Sequence, residues 1–130
     1  MGMTQLLAID GSRYSHRMVT YIASNELLFR PEHDYVLLHV RPDTGFGSPV
    51  APEDEVIEEP ASFLLTQGFA CRALMRRGDP AQTLLDAAVD VQANLIVMGC
   101  RGHSVLESVV LGSVTQTVLA HSHVPVLVVR

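Results

Sequence analysis

The chain has 130 residues, 48% of them hydrophobic and 18% charged, with a formal net charge of −5. That length suits one domain with one core, so residues 1–130 are read as a single domain. The acidic balance excludes bulk nucleic-acid binding, which calls for a basic stripe. All nine basic residues are arginine, which removes Schiff-base chemistry and the phosphate-gripping lysine of a P-loop.

No apolar run approaches the roughly 20 residues needed to span a bilayer, so no membrane association is expected. The opening MGMTQLLAIDGS lacks a basic region and a small-residue cleavage site, making the cytoplasm the expected location. Cys71 and Cys100 lie far apart with no CxxC pair, which fits a reducing compartment and neither a zinc site nor a redox dithiol.

In chain order, apolar runs of strand length alternate with segments of helical spacing. QLLAI (Gln5 to Ile9) reads as a buried strand. SRYSHRMVTYIASNELL then offers Ser12 as a helix N-cap and places Val19, Ile22, Ala23 and Leu27 near one face. YVLLHV (Tyr35 to Val40) is a second buried strand. Residues 41–68 are turn-rich and acidic, and predict a loop followed by a short helix near Asp54 to Gln67, with Pro60 placed to interrupt it. FACRALMRR has one partly wet face and suits an edge strand, with Cys71 a core or strand residue.

In DPAQTLLDAAVDVQ, Asp79 can cap, Pro80 suits the first helical position, and Leu84, Leu85, Ala88 and Val91 form the stripe. LIVMG (Leu95 to Gly99) and PVLVV (Pro125 to Val129) are buried strands, and between them GSVTQTVLAHS is a helix with Val114, Val118 and His121 on one stripe. Continuously apolar strands imply cover on both faces. The alternation predicts a doubly wound parallel sheet, with ligands outside the carboxyl ends of the strands where the winding reverses. That rule points to Asp10, Gly11, Val40, Arg41 and the segment after Met98.

Gly99 and Gly102 remove the Cβ at two points of a tight turn leaving a strand, which lets backbone approach a ligand. Gly112 immediately precedes the last helix, whose first-turn amides have no intrahelical partner, and Ser113 and Thr115 add hydroxyls beside them. A phosphate-bearing anion suits such an arrangement. The spacing matches neither a Walker A loop nor GxGxxG.

Gly99-x-x-Gly102, nine residues, then Gly112-Ser113 resembles the nucleotide-binding signature of the universal stress protein family. LLAIDGS, RRGDPAQTLLDAA, ANLIVMGCRGHS and LGSVTQTVLAHSHVPVLVVR extend the resemblance over nearly the whole chain. Its ATP-binding branch implies an α/β fold of the adenine nucleotide alpha hydrolase-like type: an open five-stranded parallel sheet of order 3-2-1-4-5, helices on both faces, and ATP between strands one and four. The resemblance implies Asp10 at the nucleoside end and Val40 lining the adenine pocket through its backbone. It implies Met98, Gly99, Arg101 and Gly102 as wall and first phosphate loop, and Gly112, Ser113, Val114 and Thr115 around the phosphates.

A helix terminus contributes only about 0.3–1 kcal/mol to an exposed anion, so Mg2+ and Arg101 are expected to share the triphosphate's charge. The connection after strand two and the second helix are shorter than the family usually shows. The resemblance also implies a homodimer in which the last strands pair across a two-fold axis; otherwise VPVLVV would be an exposed apolar edge.

Taken alone, Asp10-Gly11-Ser12 reads as a strand-to-helix turn with a cap, and only beside the glycine motif as a ligand contact. A phosphoacceptor role for Asp10 would want a lysine partner, which the chain lacks. His103 reads as a solvated loop residue with a phosphate donor as the sharper reading, and SVLESVVL as an apolar turn or short helix over the loop. His121 and His123 read as surface residues, so no structural metal is expected. Cys100 carries no sign of a stabilised thiolate, and PEDEVIEE reads as a solvated acidic face.

The expected function is that of an ATP-dependent regulatory module in a stress response, acting on a protein partner that the residues do not name. The alternatives are a slow ATPase or phosphotransferase in which Ser113 or Thr115 accepts phosphate, and a dimeric interaction module without ATP. No general base poised for water attack is evident, which ranks catalysis second.

Overall fold

A computed structural model describes residues 2–42, 53–102 and 111–130. The apolar runs form β1 (Thr4–Ala8), β2 (Asp34–Arg41), β3 (Cys71–Arg77), β4 (Leu95–Gly99) and β5 (Val126–Val129) of one sheet, ordered β3-β2-β1-β4-β5. Every neighbouring pair is parallel. Between the strands run α1 (Arg13–Ser24), α2 (Glu53–Thr66), α3 (Pro80–Asp90) and α4 (Ser113–His121). None of the described helices is long and apolar enough to cross a membrane.

The two-residue side-chain period divides the strands between two cores. Leu7 stands in register with Leu37 on one side and Val97 on the other, and these three pack with Met18 and Ile22 of α1 and Ile57 and Leu64 of α2. Leu6, Leu38 and Ile96 point the opposite way, onto Ala81 and Leu84 of α3 and Val118 of α4. Complete burial of a leucine or isoleucine side chain stabilises by about 1.5–3 kcal/mol. The central strands, covered on both faces, therefore anchor the sheet and hold the ends of β1 and β4 in place.

Local chemistry sets the helix starts. The Ser12 hydroxyl accepts from the Ser15 amide at 3.3 Å and opens α1. The Asp79 carboxylate accepts from the Gln82 amide at 2.9 Å and opens α3, with Pro80 in the first turn. Both caps agree with the sequence reading.

Three sequence expectations are corrected. α1 stops at Ser24, where Asn25 donates its amide back to the Ile22 carbonyl, so Leu27 lies beyond the helix and is fully exposed. Val19 and Ile22 are buried as expected, together with Tyr14, Ser15 and Met18, and Ala23 packs partly buried against the same core. Pro60 does not interrupt α2, which runs through it for 14 residues. In α4 the buried residues are Thr115 and Val118, while His121 is exposed. β3 is an edge strand, as its mixed pattern predicts. Its Cys71 is half-buried, donates to the Ala61 carbonyl at 3.6 Å, and has its thiol pKa pushed up by burial, which suits a packing residue.

Candidate functional site

The chain leaves β1 for β2 through α1 on one face and reaches β4 from β3 through α3 on the other, so the winding reverses between β1 and β4. A cavity of about 420 Å3 opens at the carboxyl ends of these strands. It lies within the usual range for small-molecule sites. Asp10, Val40, Met98, Gly99, Arg101, Gly102, Gly112, Ser113, Val114 and Thr115 all line it, so the ten residues singled out in the sequence converge on one crevice. A larger groove of about 630 Å3 between α3 and α4, lined in part by His121 and His123, contains none of them.

The apolar floor comes from strand and helix side chains: Ala8, Leu38, Val40, Leu84 and Met98. The polar rim comes from the turns. Asp10 is oriented by its own turn, because its Oδ1 accepts from the Ser12 amide at 2.8 Å and from the Ser15 hydroxyl at 3.0 Å. Among the described residues, two arginines, Arg41 and Arg101, and one carboxylate, Asp10, line the crevice in a chain of net charge −5.

The glycines bring the loop together as well as baring it. A Cβ on Gly102 would lie 2.8 Å from the Asp10 Oδ2, and one on Gly112 would lie 3.3 Å from the Arg101 Cα. The Gly112 amide donates to the Cys100 carbonyl at 2.8 Å, closing the gap between the two halves of the motif. Gly99 has a different reason: its Cβ would meet the Tyr14 Cβ at 2.7 Å, so α1 can reach β4 only over a glycine.

α4 begins at Gly112 with no side-chain cap, in contrast to α1 and α3. The first-turn amides of Ser113, Val114 and Thr115 thus meet the crevice without a side-chain acceptor competing for them. Thr115 is buried and donates its hydroxyl to the Gly99 carbonyl at 3.1 Å, tying α4 to the end of β4. Its hydroxyl proton is thereby engaged within the protein, and its main-chain amide is the group left for a ligand.

Two lining residues with polar side chains escaped the sequence reading. Ser15 holds Asp10, as described. His39 is buried on β2 with its Nδ1 2.8 Å from the Ile9 carbonyl. A carbonyl only accepts, so Nδ1 carries the proton and the ring fastens β2 to the residue before Asp10. The available signal was a lone polar side chain within the apolar run YVLLHV. His103 and all of SVLESVVL except its last residue, Leu111, lie outside the described residues. Among the described residues no group of three or more His, Cys, Asp or Glu side chains is placed to hold a metal ion.

A model of the universal stress protein family matches residues 3–130. The chain belongs to that family. A universal stress protein of Mycolicibacterium smegmatis is 36% identical over 96% of this chain and 45% of its own length. The chain spans about half the length of the curated universal stress proteins it matches. Among solved structures, UspA from Lactobacillus plantarum aligns with a TM-score of 0.83 at 21% identity, covering 100% of this chain and 99% of that one. The universal stress protein of Archaeoglobus fulgidus in complex with dAMP aligns with a TM-score of 0.76 at 20% identity, covering 98% of each chain.

Proposed function

We propose that this universal stress protein is a single-domain, cytoplasmic, homodimeric regulator that binds ATP with Mg2+ in the crevice between β1 and β4, and that nucleotide occupancy biases its contact with a protein partner. The supporting observation is the convergence of all ten candidate residues on one crevice at the uncapped start of α4. The apolar floor, including Val40 and Met98, suits an adenine ring. The Asp10 carboxylate at the rim suits ribose hydroxyls as an acceptor. Gly102, Gly112 and the amides of Ser113, Val114 and Thr115 suit phosphate oxygens, with Arg101 contributing charge. The fold neighbour in complex with dAMP supports an adenine nucleotide as the ligand class. Among the described residues Asp10 is the one carboxylate lining the crevice, which fits Mg2+ held mainly by phosphate oxygens and water, as that ion prefers.

Identifying by mass the small molecule released from the purified chain tests this reading. ATP retained unhydrolysed over hours with Mg2+ is the expected result. Steady conversion to ADP would replace the regulator with an ATPase, and the absence of both bound nucleotide and measurable affinity would refute ATP binding.

A further inference from the structure

Tyr14, on the first turn of α1, is buried where Gly99 makes room for it. Three guanidinium groups surround its ring: the carbons of Arg13, Arg17 and Arg101 lie 5.0, 5.5 and 4.8 Å from the centroid. All three are within cation–π range. The phenolic oxygen accepts from Nη2 of Arg13 at 3.0 Å and from Nη2 of Arg101. Those bonds occupy both lone pairs, so the hydroxyl proton is directed away from the arginines, as a donor.

An aromatic quadrupole attracts cations but carries no net charge, so the ring that Arg13 and Arg17 share with Arg101 does not neutralise their charges. α1 contains no acidic residue, and among the described residues neither Arg13 nor Arg17 makes an ion pair. Several arginine forks grouped in this way match the oxygens of phosphate groups. Arg101 joins the group to the crevice, since it lines the cavity between Gly99 and Gly102 while its guanidinium stacks on Tyr14.

We propose that Arg13, Arg17 and the Tyr14 hydroxyl form an outer anion subsite, reached across Arg101, that receives the distal phosphates of an oligophosphate chain. The inference rests on the nucleotide reading for the near end of the ligand, with the nucleoside in the crevice and the phosphate tail running toward Tyr14. The subsite selects by chain length, favouring a triphosphate over a monophosphate.

Calorimetric titration of the full chain with AMP, ADP, ATP and inorganic tripolyphosphate tests it in the wild type, in Arg13→Gln/Arg17→Gln and in Tyr14→Phe. The double variant changes two exposed side chains and should keep the wild-type melting temperature. It is expected to lose about tenfold in affinity for ATP and for tripolyphosphate while AMP affinity stays within about twofold, as for lost charge-assisted hydrogen bonds. Tyr14→Phe keeps the ring and should weaken ATP and tripolyphosphate by a smaller factor, with AMP affinity unchanged. Equal weakening of AMP and ATP, or unchanged ATP affinity in the double variant, overturns the subsite. If no nucleotide binds but tripolyphosphate binds in an arginine-dependent way, the subsite stands and the nucleotide reading falls. If neither binds, both fall.

Discussion

Gly112 shows how much a single missing Cβ controls. A Cβ there would crowd the Arg101 Cα at 3.3 Å and sit in ordinary contact with the Gly102 nitrogen at 3.6 Å, so the larger valine side chain has backbone to displace, which cannot swing aside as a rotamer can. Gly112→Val is therefore expected to abolish measurable ATP binding in calorimetry while sparing the dimer in sedimentation; unchanged affinity would contradict the site assignment. Tyr35 supports a prediction of another kind. It is buried, donates its hydroxyl to the Arg30 carbonyl at 2.8 Å, and has its pKa raised to about 12 by burial and, secondarily, by Glu32. Between roughly pH 10 and 12 the unfolded chain releases this proton and the folded chain keeps it, so stability falls as pH rises through that window. Urea midpoints measured across it should decline in the wild type and decline less in Tyr35→Phe, which removes the ionisable group. Asp10, Gly99, Gly102, Gly112 and Ser113 were legible because glycine, serine and aspartate at turn positions announce backbone geometry, whereas the roles expected of Val40, Met98, Arg101, Val114 and Thr115 came through the family resemblance. His39, Ser15 and Tyr14 were not legible, because each acts through a partner that only folding brings near: the Ile9 carbonyl, the Asp10 carboxylate and the Arg101 guanidinium.

Among the helices, the contrast in capping separates structure from function. α3 opens on the Asp79 carboxylate, and Asp79→Ala should cost about 1 kcal/mol in denaturant unfolding, the usual value of such a cap. Because Asp79 does not line the crevice, nucleotide affinity should be unaffected; a parallel loss of ATP binding would show that the start of α3 belongs to the site. α4 forgoes a side-chain cap where its amides meet the crevice. Strands and caps were readable because their determinants are local: an apolar run, a polar residue at the N-cap, a proline in the first turn. Pro60 misled because its local cost was outweighed by burial of Ile57 and Leu64 on either side of it in the α1/α2 core. Leu27 misled in the opposite way, since its spacing continued a helical stripe that the chain had already left at Asn25.

For the molecule as a whole, β5 is an edge strand whose Val126, Leu127 and Val128 remain half-buried in the single chain. The Ile96 and Cys100 amides donate to the Pro125 and Val129 carbonyls. Alternation then turns the main-chain groups of Val126 and Val128 toward the open edge. If β5 pairs with its counterpart in the proposed homodimer, the wild type should sediment at twice the 14.2 kDa chain mass, and Val128→Pro, which removes one outward amide, should sediment as a monomer. A variant that remains dimeric would place the interface elsewhere.

The sequence by itself determined the parallel α/β architecture, the positions of all five strands to within a residue or two, and the identity of the glycine loop, because periodicity and turn chemistry are properties of neighbouring residues. The strand order 3-2-1-4-5 was legible only through family resemblance. Tertiary structure alone decided which side chains share the crevice with that loop, that Gly99 exists to admit Tyr14, and that three arginines from α1 and the loop meet on one ring. Those facts depend on how closely α1 approaches β4, a distance set by packing across the sheet and written in no single stretch of the chain.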